Sequence, residues 1–214
     1  MARKTKEEAE RTYHALLDAA ALLFIEQGVA RTTLNDIARA TGMTRGAIYW
    51  HFDNKEEVIK ALWERDAGTL HHEFIDALTR ADTVASGEGF RETIKTLLNA
   101  VTVDARLSQA VRIVFHCIEF TSEKTELQRF LFERRDQFYA ALQQALHRLE
   151  EKGLLRPGLA PEVAASALWS YITGLIDTHL EPESLTADLQ LHGDQLVDLF
   201  LDSILAPRHP LPGS

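Results

Sequence analysis

Residues 33 to 52, "TLNDIARATGMTRGAIYWHF", contain two short helix signals on either side of one glycine. Thr33 supplies an N-cap for a two-turn helix that Gly42 ends, and Thr44 supplies the N-cap of a second helix. Apolar residues recur at helical spacing within the first of these helices. Because two capped helices joined by a tight glycine turn are the layout of a helix-turn-helix motif, the segment is predicted to fold in that way.

The remainder of the chain also favours helices. Apolar residues recur at a period of 3.6 in many windows, whereas no window shows sustained period-two alternation between turn residues. A first helix is predicted over about 7 to 27, ended by Gly28. A long helix is predicted from Asn54 to about Arg80, with a bend at Gly68. The predicted fold class is all-α.

The net charge of −9 is unevenly distributed along the chain. Residues 1 to 55 carry eight Lys/Arg and seven Asp/Glu, a balance of +1, and the remaining residues carry a balance of −10. Arg3, Lys4 and Lys6 form a basic arm, for which a solvated tail is the alternative interpretation. The acidic total therefore does not exclude a nucleic-acid partner for the N-terminal part.

Composition limits the class of protein. Apolar residues at 45% and charged residues at 26% are typical of an ordinary globular chain. No basic and apolar leader opens the sequence, and the longest uncharged run, residues 163 to 176, is too short to cross a bilayer. A single cysteine, Cys117, excludes an internal disulfide and suits a reducing compartment. We expect a cytoplasmic protein without a membrane partner.

The second short helix has one inward and one outward side. At 100° per residue, Ile48 and Phe52 share a face with Thr44 near them, and this stripe is predicted to pack on the first helix. Core packing is the usual role of an aromatic pair, but the inward side is already occupied, so at least one outward ring is expected in solvent. The outward side carries Arg45, Gly46, Tyr49 and Trp50.

An exposed aromatic ring beside an arginine and a glycine fits the major groove of DNA. Arg45 matches a guanine edge, and Gly46 lets the backbone approach closely. Trp50 or Ala47 matches a thymine methyl group. Five side chains are candidates for phosphate contacts: Thr33, Thr44, Tyr49, His51 and Lys55.

The stretch "GVARTTLNDIARATGMTRGAIYWHFDNKEEVIKALW" resembles the DNA-binding region of the TetR family of transcriptional repressors, and in particular the AcrR/TtgR-like regulators of multidrug efflux pumps. The segments "MARKTKEEAE", "FHCIEF" and "YITGLIDTHL" resemble the same subgroup. One position departs from the resemblance, because relatives usually have an arginine shortly before "LLDAA", where this chain has Tyr13 and His14. Any phosphate contact that the family makes from this position therefore lacks its usual arginine in this chain, and Arg11 is the candidate substitute.

The resemblance implies an all-α homodimer of about nine helices per subunit. Residues 1–53 would form a three-helix DNA-binding head and residues 54–205 a helical body for ligand binding and dimerisation. Two recognition helices related by a two-fold axis must reach major grooves one turn, ~34–36 Å, or a multiple apart, so the operator would be palindromic. Three prolines and Gly213 predict a disordered tail over residues 206–214.

The last two predicted helices support a dimer. Residues 161–180 are apolar on more than one face and include the small residues Ala164, Ala165 and Gly174. Residues 188–205 are apolar on two sides. Because a helix with two apolar faces needs two partners, a homodimer through these helices is favoured over a central position in one subunit.

An inducer pocket would be apolar and aromatic with a few polar groups. The excess of acidic residues suggests that cationic amphiphiles are tolerated, with an aromatic face or Glu119 as partner. Ordinary core packing is the alternative role for every candidate. The candidates are Trp63, Phe74, Phe115, His116, Glu119, Phe120, Phe138 and Tyr171.

No metal, cofactor or catalytic residue is predicted. The pair His116 and Glu119, and the cluster of His71, His72 and Glu73, lack further ligands at recognisable spacing. The sequence has no glycine-rich phosphate loop and no nucleophile elbow, which disfavours an enzyme. The predicted function is a ligand-responsive repressor of a multidrug efflux operon, released by hydrophobic small molecules. A TetR-type regulator of an acyl or aromatic catabolic operon is the alternative, and an enzyme that processes a small molecule is a remote one.

Overall fold

The structure, a computed structural model, describes residues 2–118, 125–181 and 188–207, with side chains from Lys6 onward. A π-helical turn at Glu64–Gly68 connects α4 directly to α5, and a second one at Ile113–Cys117 follows α7. The helices are α1 (Ala2–Gln27), α2 (Leu34–Ala40), α3 (Arg45–Tyr49), α4 (Lys55–Trp63), α5 (Thr69–Thr79), α6 (Gly87–Val103), α7 (Ala105–Arg112), α8 (Glu126–Glu151), α9 (Pro161–Leu180) and α10 (Leu189–Ile204).

The predicted all-α class is confirmed. With α4 and α5 counted as one helix through the π turn, the described residues form nine helices. Within the same ranges, β structure is limited to an isolated antiparallel bridge between Leu155 and Leu205. No described helix combines the length and the apolar composition needed to cross a membrane.

Side-chain caps and one glycine set the turn between α2 and α3. The Thr33 hydroxyl accepts from the N–H of Asp36 at 3.2 Å, and the Asp36 carboxylate accepts from the N–H of Thr33 at 2.9 Å, which completes a capping box. Gly42 has a φ of +68°, which residues with a Cβ rarely adopt. Thr44 caps α3 by accepting from the N–H of Ala47 at 3.2 Å. Both predicted caps and the glycine turn are present.

The first helix begins earlier than predicted, since the sequence predicts a start at about residue 7 and α1 starts at Ala2. The segment that carries Arg3, Lys4 and Lys6 is therefore a helical extension of α1. At the other end of the chain, Ala206 donates its N–H to the carbonyl of Leu154 at 2.8 Å. Of the tail predicted to be disordered, residues 208–214 lie outside the described residues.

The described residues pack as two compact units, and the first comprises the described parts of Met1–Thr69 and Gln109–Phe132. The predicted head of residues 1–53 thus belongs to a larger packing unit. Three apolar side chains from the range 109–132, those of Ile113, Leu127 and Leu131, complete the core of this unit. The core includes Leu16, Leu17, Ala20, Phe24, Leu34, Ile37, Ile48, Phe52, Val58, Ile59, Leu62, Ile113, Leu127 and Leu131.

The second unit comprises the described parts of Leu70–Ser108 and Glu133–Ser214. Within it, the guanidinium of Arg91 on α6 is 2% exposed and donates to Asp198 at 2.8 Å and to Asp202 at 2.7 Å, both on α10. Lys95 pairs with the same Asp198 carboxylate at 3.0 Å. Burial raises the pKa of Asp198, but hydrogen bonds from Lys95 and Arg91 and their charges outweigh it, so the pKa lies below its ordinary 3.8.

We expect Arg91→Met to lower the free energy of unfolding by about 1–3 kcal/mol, because the buried donors that hold α10 are lost, while Asp198 keeps its pair with Lys95 and Asp202 is largely exposed. Since the pKa of Asp198 is lowered in the folded state, its contribution to stability is present above pH ~4 and lost as the pH falls through the lowered value. The acid-dependent part of the stability should therefore shrink in the variant. Urea unfolding at pH 7 and pH 3 measures both effects.

The matched control is Arg135→Met, since the half-exposed guanidinium of Arg135 pairs with the neighbouring Asp136 on the surface of α8. This control should change the unfolding free energy by less than about 0.5 kcal/mol. Equal losses in the two variants would contradict the assigned role of Arg91.

Candidate nucleic-acid interface

The inward side of α3 is fixed by two apolar side chains. Ile48 is fully buried and Phe52 is nearly so, and both belong to the core cluster that contains residues of α1 and α2. The N–H of Phe52 donates to the carbonyl of Ile48 at 2.9 Å, which keeps the turn after α3 compact. The predicted inward stripe is therefore confirmed for these two residues. Thr44 is exposed, because it is the N-cap and precedes the helix.

The outward side of α3 presents the aromatic residues that the sequence placed there. The side chains of Tyr49 and Trp50 are 42% and 73% exposed, which confirms that the pair is not part of the core. Arg45 is also exposed, and its guanidinium carbon lies 5.2 Å from the centroid of the Tyr49 ring. A Cβ built on Gly46 would approach only the Thr44 hydroxyl, at 3.9 Å. Arginine, aromatic rings and open backbone thus share one exposed surface.

His51 lies beside this surface and is partly buried. Its imidazole contacts the Trp50 ring edge to face, with centroids 4.5 Å apart, and the Tyr13 ring with centroids 5.7 Å apart. Burial lowers the pKa of His51, so the ring is neutral at pH 7. A neutral imidazole offers one N–H donor and no charge to a phosphate.

The two capping threonines differ in what their hydroxyls can still do. The Thr33 hydroxyl donates to the Asp36 carboxylate at 2.6 Å while it accepts from the Asp36 N–H, so its proton is already engaged. This hydrogen bond holds the pKa of Asp36 below its ordinary value. The Thr44 hydroxyl accepts from Ala47 and keeps its proton for another acceptor. Of the two, Thr44 is the better phosphate donor.

Lys55 binds the backbone of its own unit. Its ammonium donates to the carbonyl of Val29 at 2.7 Å and to that of Ala30 at 3.2 Å, in the loop after α1. Two of its three N–H donors are used in this way, and one is left for a phosphate. The residue therefore has a structural role that its position in the sequence did not indicate.

The structure also brings Tyr13 to this surface, which was not predicted. Its ring stacks on Phe52 with centroids 5.3 Å apart at an interplanar angle of 26°. The departure from the family pattern at Tyr13 and His14 was visible in the sequence, but the stacking partner was not, because it lies far along the chain.

The described members of the predicted inducer contacts are divided between the two packing units. In the first unit, Trp63 is partly buried against the core, and its indole N–H is buried without a hydrogen-bond partner among the described residues. Phe115 and His116 are exposed and lie 6.5 Å apart between ring centroids. Glu119 and Phe120 lie outside the described residues.

In the second unit, Phe74 and Phe138 stack in parallel with centroids 4.9 Å apart. Trp169, which was not among the predicted residues, contacts Phe138 with ring centroids 5.3 Å apart. Tyr171 has different partners, because its ring stacks on Phe200 and its hydroxyl donates to the carbonyl of Leu196 at 3.0 Å. Phe74, Phe138 and Trp169 therefore form an aromatic cluster in this unit, and Tyr139 joins it through an edge-to-face contact with Trp169.

The histidines considered as metal ligands have other contacts. The Nε2 of His71 lies 2.9 Å from the carbonyl oxygen of Arg134, and the His71 and His72 rings meet edge to face. Across the described ranges, no three His, Cys, Asp or Glu side chains are grouped closely enough to hold a metal ion.

Two family models match this chain. Residues 16–62 match bacterial regulatory proteins of the tetR family, and residues 88–206 match the C-terminal region of MAATS-type transcriptional repressors. The chain belongs to the TetR family. The predicted resemblance, including the AcrR/TtgR-like subgroup, is thereby confirmed.

Three relatives illustrate how far the likeness of this TetR-family chain extends. The regulator TtgR of Pseudomonas putida is 37% identical over 209 residues, covering 95% of this chain and 96% of TtgR. NalD of Pseudomonas aeruginosa, the secondary repressor of the MexAB-OprM multidrug efflux pump, matches with a TM-score of 0.80 at 28% identity, covering 93% of this chain and 98% of NalD. SmeT of Stenotrophomonas maltophilia in complex with triclosan has a TM-score of 0.73 at 30% identity, covering 95% of this chain and 96% of SmeT.

We expect Lys55→Met to lower the free energy of unfolding of the TetR head by about 1–2 kcal/mol, because the carbonyls of Val29 and Ala30 lose a charged donor. If its third N–H contacts a phosphate, the variant should also bind all DNA sequences more weakly, with a salt slope reduced by about one. Thermal unfolding and DNA titrations at several salt concentrations separate the two effects. Lys152→Met, at an exposed lysine of the second unit, should change neither quantity. An unchanged melting temperature in the Lys55 variant would reject its structural role.

Proposed function

We propose that this protein is a ligand-responsive transcriptional repressor that binds a palindromic operator as a homodimer and controls a multidrug efflux operon. The observation that carries the proposal is the exposed surface of Arg45, Gly46, Tyr49 and Trp50 on α3. These side chains are outward because Ile48 and Phe52 hold the opposite side in the core, so they are available to base edges in the major groove. Such a repressor acts in the cytoplasm, where its operator is.

The exposure and contacts of the side chains support a role for each residue in this surface. We assign Arg45 a bidentate contact with guanine, which its exposed guanidinium, with its carbon 5.2 Å from the centroid of the Tyr49 ring, supports. Trp50 is placed for an apolar contact such as a thymine methyl. Thr44, Tyr49, His51 and Lys55 are candidates for phosphate contacts, while the Thr33 hydroxyl serves the capping box first.

The efflux assignment is supported by the relatives. NalD and SmeT are described as repressors of multidrug efflux pumps, and each covers more than nine-tenths of this chain. The chain is similar to them and to TtgR along both units, so the likeness includes the part that would take the inducer.

A homodimer through α9 and α10 is supported by exposed apolar side chains on those helices. Leu191 and Leu199 lie two turns apart on one side of α10 and are largely exposed, and Val163 is exposed on α9. A second copy of this surface would bury them. A two-fold dimer also explains how two α3 helices reach successive major grooves.

The inducer is proposed to be a hydrophobic, aromatic small molecule. Phe74, Phe138 and Trp169 offer ring faces within the second unit, which suit an aromatic compound. SmeT has been solved with triclosan, a compound of this kind. Release would require the ligand to bind one conformer more tightly than the operator-bound one.

Fluorescence anisotropy on the DNA that flanks the gene tests the operator contact. Wild-type protein should prefer this DNA over unrelated DNA, and Arg45→Ala should reduce the preference by ~1–3 kcal/mol because a base contact is lost. Arg135→Ala, which removes an equal charge from the second unit, should leave the preference intact. Addition of triclosan and other hydrophobic drugs should then release the wild-type protein.

The outcomes separate the parts of the proposal. An Arg45→Ala preference equal to wild type would reject the base contact. Selective binding that no drug reverses would keep the DNA-binding function and reject the efflux assignment. Binding without selectivity at any salt concentration would reject the repressor function itself.

We expect Leu199→Glu to convert the dimer into a monomer, because a charge on a residue that is 71% exposed in one subunit would be buried between two. The affinity for the operator should fall as the dimer is lost. Light scattering after gel filtration measures the mass. Val103→Glu is the matched control, since Val103 is 67% exposed on α6 and lies outside the proposed interface. A dimeric Leu199 variant, or a monomeric Val103 variant, would contradict the interface.

A further inference from the structure

Trp50 is more exposed than any other large aromatic side chain described, and its neighbours provide few restraints. At 73% exposure it lies just after the last residue of α3, where its N–H closes the helix by donating to the carbonyl of Gly46 at 3.1 Å. Among the described residues, its ring contact is the edge-to-face pair with His51 at 4.5 Å and 85°. The orientation of the indole therefore depends on whether the His51 ring is itself held in place.

The ring of Tyr13 on α1 is one of two rings besides Trp50 that contact His51, the other being Phe52 with its centroid 6.1 Å from that of His51. The Tyr13 centroid lies 5.7 Å from His51 and 5.3 Å from Phe52, and the latter contact is a near-parallel stack. Phe52 is 3% exposed and belongs to the core, so the stack fixes Tyr13 against an immobile partner. The turn after α3 is thus covered by one aromatic ring that touches two of its three residues.

The backbone that carries Tyr13 is held in turn by Arg65. The Arg65 guanidinium pairs with Asp18 of α1 at 2.8 Å and donates to the carbonyl of His14 at 3.3 Å. It also forms two hydrogen bonds with the nearly buried carboxylate of Asp66 in the π turn. Tyr13 is consequently presented from a rigid part of α1.

We propose that Tyr13 is a positioning residue for DNA recognition, whose ring, through His51, fixes the orientation of Trp50 on the exposed surface of α3. This role rests on the proposed DNA-binding function. A tryptophan that is oriented before binding meets its base without losing rotamer freedom at that moment, so the gain falls on specific DNA and not on unrelated DNA. Tyr13 acts through its ring, and its hydroxyl is not required.

Fluorine NMR of the free, full-length protein labelled with 5-fluorotryptophan tests the positioning directly. The chain has three tryptophans, and Trp50→Phe identifies the Trp50 signal. In Tyr13→Leu, which removes the ring, the Trp50 signal should shift towards that of a freely rotating indole and sharpen, while the Trp63 and Trp169 signals stay in place. Tyr13→Phe is the matched control, because it keeps the ring and should leave all three signals unchanged. An unmoved Trp50 signal in Tyr13→Leu would overturn the proposal.

A second variant tests the proposal in the case that Tyr13→Leu does not fold. If Tyr13→Leu moves all three signals, His51→Ala removes the intermediate ring and keeps the Tyr13 stack on Phe52. The Trp50 signal should then shift alone, and a signal that does not shift would overturn the proposal in the same way.

Operator binding provides the functional readout. Tyr13→Leu should reduce the preference for operator over unrelated DNA by about tenfold, the size of one base contact that loses its fixed geometry, with binding to unrelated DNA unchanged. Tyr13→Phe should change the preference by less than about twofold. An equal loss in Tyr13→Phe would show that the hydroxyl contacts DNA and would overturn the positioning role. If wild-type protein shows no preference at all, the repressor function fails, while the NMR signals of the free protein still decide the role of Tyr13.

Discussion

The burial of Ile48 and Phe52 is the contact on which the proposed DNA-binding surface depends. A helix of five residues is too short to be stable in water by itself, so α3 keeps its shape only because these two side chains are part of a core. Once they are buried, the helical period places Arg45, Tyr49 and Trp50 in solvent. The proposed DNA-binding surface is therefore exposed because the opposite side of α3 is packed in the core.

Many polar groups near this surface have partners inside the protein. Thr33 completes a capping box, Lys55 binds the carbonyls after α1, and Arg65 ties α1 to the π turn. These residue types are also the ones that bind phosphate, so composition alone does not separate the two roles. The hydrogen-bond partners do separate them, and they leave the outward side of α3 as the proposed site of base recognition.

The second unit is organised by a different balance of forces. Its α10 is held against α6 by the buried guanidinium of Arg91, while Leu191 and Leu199 on the same helix remain in solvent. Because α10 is held on one side by ion pairs and exposes apolar side chains on another, it is suited to pack against a second copy of the chain. The proposed inducer contacts Phe74, Phe138 and Trp169 lie on α5, α8 and α9, so α9 would carry both an inducer contact and, at Val163, a dimer contact.

The sequence by itself determined the helices, both threonine caps, the glycine turn, the buried pair in α3 and the exposure of its aromatic residues, because each follows from spacing within a few turns of one helix. Its motifs also indicated the TetR family. Only the tertiary structure decided that residues beyond 109 complete the core of the first unit, that Lys55 binds the loop after α1, and that Tyr13 stacks on Phe52. It likewise joined Trp169 to Phe138 and separated Tyr171 from them. These contacts join residues far apart in the chain, and local periodicity holds no information about which distant side chain fills a given space.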